Sequence, residues 1–457
     1  MVMKTLDVIP LSRENISHMH ILADELNAVL DGTIAGRLLS HLGRRIYFPK
    51  GIIAQSSEAK KTAHRANASI GMAYTDGKPL IMSVITDNLP NLTSAESVVY
   101  APTAGVEQVR QVWKDLLLQK NPSIKAEHLS LPIVVPGITA GISYTAELFL
   151  DQGQAIISSG PCWDNYGLIF RDRRDGILIA VPFFGPNPKP GSGLDLDAIS
   201  SALKDAAKTG AVRIILNFPN NPSGYSPTKA EEDALVALIR EIAEGGTDVL
   251  VLCDDAYFGL FYEEDIIQES IFGRLVNLHE RVLAIKLDGP TKEDYAWGFR
   301  MAFVTFGSRG LEQQHCDALI KKYMGVIRSS VSCANTPAQY LMLKTLEDPR
   351  TAGEKEAHYD LLCRRYGAVK KFVTENPNHP VLTPLPFNSG YFMSFCCRGI
   401  TAEALRKELL TNEGIGTIAL EEKYLRITFA AIDEEKIPGI YRTIYDTAAR
   451  LAAQKAG

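Results

Sequence analysis

The chain predicts an α/β protein, with a large domain around a doubly wound, mainly parallel sheet and a smaller α+β domain built from both chain ends. Three observations carry this. Strand and helix signals alternate from about residue 94 to about residue 347, the pattern of strands joined by helical crossovers. Two nearly continuous apolar runs, Val212-Arg213-Ile214-Ile215-Leu216 and Val249-Leu250-Val251-Leu252-Cys253, read as strands buried on both faces, where alternation is not needed. Beyond about residue 348, helical stretches at 352–376 and 401–412 surround short strands at 391–396 and 425–429. Helical spacing at 12–30 and 33–42 adds an amino-terminal arm. The expected division is 1–65 for the arm and a small-domain segment, 66–347 for the large domain and 348–457 for the carboxyl-terminal small domain.

Composition bounds the functional classes. A length of 457 residues suits two or three domains at roughly 100 to 200 residues each. Apolar content of 46% with 22% charged residues is ordinary for a globular protein. A formal net charge of -5 argues against nucleic acid or an anionic membrane as the main partner. No stretch approaches the ~20 apolar residues of a membrane span, and the start lacks the apolar core of an export signal, so a cytoplasmic location is expected. Seven cysteines without Cys-x-x-Cys spacing fit a reducing compartment. His18-Met19-His20 is the only close histidine pair, and no metal is expected.

The run Gly289-Pro290-Thr291-Lys292 with Arg300 eight residues after the lysine pairs a candidate imine-forming amine with a candidate phosphate clamp. An amine becomes a nucleophile when cations or desolvation lower its pKa, and a guanidinium grips phosphate through two parallel hydrogen bonds. A carbonyl cofactor bearing a phosphate, pyridoxal phosphate, needs both. Upstream, Asn217-Phe218-Pro219-Asn220-Asn221-Pro222-Ser223-Gly224 follows one apolar strand and Asp254-Asp255-Ala256-Tyr257 ends the next. Ligands of open α/β sheets bind beyond the carboxyl ends of the strands, where a carboxylate can face a pyridine nitrogen. Taken singly, each motif has a plain reading: a surface lysine and a solvated arginine, an ordinary turn, a helix cap.

In sequence order, these motifs resemble the fold type I pyridoxal phosphate enzymes, and among them the aspartate aminotransferase family. Further segments extend the resemblance over about residues 65 to 435: Ile70-Gly71 before a turn, Tyr100-Ala101-Pro102-Thr103-Ala104-Gly105, Pro136-Gly137-Ile138-Thr139-Ala140-Gly141, Pro161-Cys162-Trp163-Asp164-Asn165-Tyr166, Asn335-Thr336-Pro337-Ala338-Gln339 and Leu425-Arg426-Ile427-Thr428. The resemblance implies that Lys292 is the Schiff-base lysine and proton carrier, that Asp254 faces the pyridine nitrogen, and that Tyr257 and Asn221 bond the ring's 3′-oxygen. Trp163 would stack on the ring. Gly137, Ile138 and Thr139, at a helix start, would hold the phosphate with Thr291 and Arg300. Tyr100 would come from the neighbouring subunit of a homodimer with shared active sites. Arg426, assisted by the Gly71 backbone, would grip the substrate α-carboxylate. One departure stands out, because Gly289 occupies the place where the family usually has serine. Arg328 lies near the position of a second, side-chain-reading arginine, but counting back from Asn335 puts that position on Ser330.

The function implied is transfer of an amino group from an L-amino acid to a 2-oxo acid, with aspartate, aromatic or broad substrate range. Two alternatives remain at this level: a decarboxylase or carbon-carbon lyase using the same lysine and aspartate, and a cofactor-binding transcription regulator. The regulator would need a basic DNA-binding head, whereas residues 1 to 65 mix both charge signs.

Overall fold

The computed structural model describes residues 20–31, 33, 39, 41–46, 51–185 and 192–456. The large domain holds a seven-stranded sheet of β1 (Ile133–Val135), β2 (Ala155–Gly160), β3 (Ile177–Pro182), β4 (Ala211–Asn217), β5 (Asp248–Asp254), β6 (Val282–Asp288) and β7 (Ala302–Gly307). Their spatial order is β1-β7-β6-β5-β4-β2-β3. Only β7 is antiparallel to its neighbours, and the remaining pairings are parallel. The two apolar runs are β4 and β5, with Asn217 and Asp254 opposite each other at their carboxyl ends. Helices cover both faces. Leu235, Val236 and Ile239 of the helix Lys229–Glu244 pack with Val212, Ile214, Val249 and Val251 on one side, whereas Ile138 and Ile142 of the helix Ile138–Phe149 pack with Ile215, Leu252, Ile285 and Val304 on the other. Successive strand residues therefore serve two cores, which is why these runs need no polar alternation.

The second sheet is antiparallel, ordered β8 (Leu382–Pro384), β9 (Phe392–Cys397), β11 (Tyr424–Thr428), β10 (Ile418–Leu420). The helices Thr351–Glu375, Ala402–Thr411 and Ile437–Ala456 pack around it, through residues including Val369, Leu405 and Tyr441. The chain's early part joins this unit. Gln55 of the helix Ile52–Thr62 makes two hydrogen bonds to the backbone of Ala419, and the two-residue strand Ala66–Asn67 pairs with Ile415–Gly416. At the amino end, the expected helix at 12–30 is described as Ile21–Leu30; its first eight residues lie outside the described residues. The expected helix at 33–42 also falls mostly outside them, and the described helix there is His41–Arg45, beginning near the expected end.

Candidate active site

One cleft at the carboxyl ends of β4 and β5 is lined by Ile138, Thr139, Trp163, Asn217, Asn221, Asp254, Ala256, Tyr257, Thr291, Lys292 and Arg300. Sequence-predicted residues more than 150 positions apart thus meet, because each sits at a strand end or on the loop that follows it. Asp254 closes β5 and is 3% exposed. Lys292 lies on the short helix Pro290–Glu293 just past β6. Arg426 enters from β11 of the small sheet and is buried.

Lys292 Nζ donates to Gly71 O at 3.3 Å and lies over the Tyr257 ring, 5.1 Å from its centre. Burial pushes its pKa down to about 8; the cations of Arg300 and Arg426 add to the effect and Asp254 opposes it. At that value a useful fraction is the free, nucleophilic amine near neutral pH. The backbone around it is held firmly. The Tyr391 hydroxyl donates to Lys292 O at 2.9 Å, and the next residue, Glu293, takes Lys120 Nζ at 2.7 Å and Lys355 Nζ at 3.4 Å.

Burial pushes Asp254 up to about 6, Asp255 adds to this, and the Tyr166 hydroxyl, the Ala256 N–H and Lys292 oppose it. Tyr166 donates a short hydrogen bond to Asp254 Oδ2, and Ala256 N donates to Oδ1 at 3.3 Å. Asn217 Nδ2 donates to Asp254 O at 2.8 Å, while its Oδ1 accepts from Asn221 N at 2.8 Å, so one amide ties the two strand ends together. Tyr166 and Asn217 were visible only as members of motifs. The signal for Tyr166 was its place three residues after Trp163, against which its ring packs edge-on at 5.6 Å.

At the helix Ile138–Phe149, Gly137 has φ +90, and a Cβ there would lie 2.5 Å from Arg300 Nη2. The guanidinium therefore rests against the backbone at the helix start, beside the unpaired N–H groups and the positive end of the dipole. The absence of a side chain at 137 is what permits this approach. Thr139 and Thr291 line the same end of the cleft. Gly289 follows from space: a Cβ there would stand 2.8 Å from Ala302 Cα and 3.1 Å from Met301 O, backbone that cannot turn aside. A serine does not fit, so any phosphate contact is left to the other groups.

Arg426 Nη1 donates to Asn221 Oδ1 at 3.0 Å and Nη2 to Ser69 O at 3.3 Å, with the guanidinium 4.4 Å over the Phe392 ring. Its Nε is buried and has no partner. An orphaned donor on a buried cation is costly and suits an anion that arrives from solution. Two predicted residues lie elsewhere. Tyr100 is 89% exposed, in a run with the exposed Val98 and Val99. Arg328 is exposed on the helix Gln313–Ser330 and does not line the cleft, and Ser330 Oγ is bound to Tyr144 Oη at 2.9 Å.

A buried carboxylate, a depressed amine, a guanidinium at a helix start and a buried guanidinium with a free donor fit pyridoxal phosphate and an amino acid carboxylate. The chain belongs to the aminotransferase class I and II family, whose model matches residues 69–444. It is a pyridoxal-phosphate-dependent aminotransferase. It is 23% identical over 359 residues to the probable aspartate/prephenate aminotransferase of Aquifex aeolicus, covering 75% of this chain and 82% of that protein. It is also 23% identical to the arginine–pyruvate transaminase of Pseudomonas aeruginosa, over 75% of this chain and 78% of that protein. Among solved structures, an aminotransferase from Anaerococcus prevotii superposes with a TM-score of 0.78 at 22% identity, over 88% of this chain and 97% of that one, and supports the fold.

Proposed function

We propose that Lys292 is the lysine that takes the cofactor aldehyde and carries the proton, and that Asp254, Tyr257, Asn221, Arg300 and Arg426 complete the machinery for a broad or aromatic range of amino donors. The observation that carries this is the meeting, in one cleft, of a lysine lowered to about 8 and a buried carboxylate raised to about 6. Pyridoxal phosphate supplies a carbonyl that condenses with amines and a ring that withdraws electrons.

The chain's own groups do the rest. Asp254, as a carboxylate aimed by Tyr166 and the Ala256 N–H, would pair with the protonated ring nitrogen. Arg300 with the N–H groups at Ile138 and Thr139, and with the Thr291 hydroxyl, receives the phosphate. Tyr257 and Asn221 would offer hydrogen bonds to the ring oxygen, and Trp163, lining the same cleft, would cover a face of the ring. Arg426 would orient the α-carboxylate so that the α-hydrogen lies toward Lys292 Nζ; the neutral amine would take that proton from the α-carbon and deliver it to the carbon that was the cofactor's aldehyde. The Lys292 carbonyl is held by the Tyr391 hydroxyl, which fixes the backbone from which the amine extends.

Donor range follows from what the cleft lacks. Among the described residues Arg300 is the only arginine lining the cleft, Arg426 reaches Asn221 at its edge, and Arg328 does not line it, which disfavours strict dicarboxylate selection. The exposed Tyr100, with Val98 and Val99, supports its donation to a second subunit's cleft in a homodimer. Seven free cysteines suit a reducing, cytoplasmic setting; no described helix is long and apolar enough to cross a membrane.

The test is a panel of L-amino acids with 2-oxoglutarate, read for glutamate, beside a near-visible absorbance spectrum of the parent and of Lys292→Ala. Glutamate from aromatic and aliphatic donors, and loss of the parent's borohydride-fixable adduct in the variant, are expected. Carbon dioxide or free amine in place of glutamate, or an unchanged adduct in Lys292→Ala, refutes the assignment.

A further inference from the structure

Behind the cleft, on the opposite face of the sheet, lies a cluster of buried charges that the reaction does not touch. Lys286 is 0% exposed, the most completely enclosed lysine among the described residues. It sits in β6, directly across from Cys253 of β5, while Asp254 is across from Leu287. Since successive residues point to opposite faces, Lys286, Asp288 and Asp255 share one face and Asp254 looks out from the other. Lys286 Nζ makes a short ion pair with Asp255 Oδ2 and a second, at 3.5 Å, with Asp288 Oδ2. The Phe258 ring lies 4.3 Å from the ammonium. Asp255 also accepts from Ser270 Oγ at 2.6 Å, and Asp288 from Trp113 Nε1 at 3.1 Å. Every charged member is partnered, yet one cation stands against two carboxylates, and one of those carboxylates is the residue directly after Asp254.

Stability alone gives no reason for this cluster, because buried ion pairs are often replaceable by packed apolar side chains at no loss. Its field gives one. We propose that Lys286 is a positioning residue for the cofactor: by cancelling the charge of Asp255 behind the sheet, it leaves Asp254 able to carry its own negative charge toward a cationic ring nitrogen. Without the ammonium, the charge of Asp255, the next residue, would stand uncompensated beside Asp254, and a like charge at that range disfavours a further one. The groups that act on Asp254 from other directions are the Tyr166 hydroxyl, Lys292 Nζ and Tyr257 on its own face and Cys253 behind it, and Lys292 is the one base among them. Asp255 pushes Asp254 upward in the intact chain; burial raises Asp255 itself, and Lys286 opposes that rise.

The inference rests on the proposed role of Asp254. The experiment is the dissociation constant of pyridoxal phosphate from the full-length chain between pH 5 and 9, for the parent, Lys286→Met, Asp255→Asn and the double variant. Lys286→Met is expected to weaken binding about tenfold at pH 7 and to move the acid limb of the profile up by about one unit. Asp255→Asn should move that limb in the opposite direction. The double variant, with the parent's net charge in the cluster restored, should return to within about twofold of the parent. If Lys286→Met does not fold, the double variant set against Asp255→Asn decides: a limb back at the parent's position supports the role of Lys286, and a limb that stays down with Asp255→Asn overturns it. Single variants that move the limb the same way, or leave it in place while only melting earlier, overturn the proposal. A parent that binds no pyridoxal phosphate at any pH overturns the reading of Asp254 itself, a distinct result.

Discussion

Replacing Tyr166 with phenylalanine removes one hydroxyl and almost no volume, and so isolates the hydrogen bond that Tyr166 gives to Asp254. That bond is the largest influence holding the buried carboxylate down, against burial and Asp255, which together leave it at about 6. A hydrogen bond to a charged group is worth about 1.5 to 3 kcal/mol, and about 1.4 kcal/mol corresponds to one pKa unit. Tyr166→Phe should therefore raise Asp254 in the cofactor-free chain by roughly one to two units, to roughly 7 or 8. At pH 7 the ionised share falls from about nine-tenths to between roughly a half and a tenth, whereas at pH 9 it stays near complete. Pyridoxal phosphate binding, followed by absorbance titration, should weaken about two- to tenfold at pH 7 and barely at pH 9. A loss of equal size at both pH values would point to altered packing around Trp163 and Phe170 and would refute the electrostatic account; no loss at pH 7 would refute the hydrogen bond's role altogether.

Further outcomes follow from the same geometry. Lys292 near 8 should make the rate of covalent capture of pyridoxal phosphate by the cofactor-free chain rise about tenfold from pH 7 to a plateau above pH 9, as seen in stopped-flow absorbance. Asp254 is raised above its ordinary 3.8, so the folded chain holds that proton more tightly than the unfolded one and loses stability as pH rises from about 4 to about 6. Asp254→Asn fixes the neutral form: denaturant unfolding of the cofactor-free variant at pH 7 should show a gain of up to about 3 kcal/mol that fades toward pH 4, while cofactor affinity drops. Arg426→Lys, which loses the fork, should lower kcat/KM for amino acids by about 10- to 100-fold, chiefly through KM in steady-state assays. Gly289→Ser should cost about 1 to 3 kcal/mol in unfolding experiments without tightening the cofactor, because its Cβ meets the Ala302 backbone.

Much of this site was legible in the sequence because the strands are unusually plain. The apolar runs of β4 and β5 locate Asn217 and Asp254 at strand ends, and the Asn-Pro turn and the lysine loop then fall at the same rim. Arg426 was legible only through the resemblance of its strand to the family's, since an isolated arginine at a strand edge reads as solvated. What could not be read depends on side chains crossing between elements. Tyr166 belongs to an aromatic segment, and nothing in its neighbours announces a bond to a carboxylate 88 positions away. Lys286 reads as a spare lysine near the active one, although its setting in the apolar strand β6, two residues before Asp288, was a hint that it is buried among carboxylates. The Gly289 departure depends on free space beside Ala302, which no sequence pattern records. Arg328 illustrates a register question: a helix continues through it, and its turn places the guanidinium outward.

The charges around Lys292 also explain how one amine can serve two tasks that want opposite basicities. As a nucleophile toward an aldehyde it must be neutral at working pH; as a proton acceptor from carbon it gains from being more basic. In the chain alone, burial, Arg300 and Arg426 lower it, and only Asp254 opposes them. Arg300 and Arg426 are the two groups proposed to receive the phosphate and the α-carboxylate, and each anion, once seated, cancels the field of its own arginine at Nζ. On the proposed assignment, Lys292 would be least basic in the chain alone and would regain basicity as the phosphate and then the α-carboxylate are seated. On that proposal the amine's basicity would change without any movement of the backbone, which Tyr391, Lys120 and Lys355 hold in place.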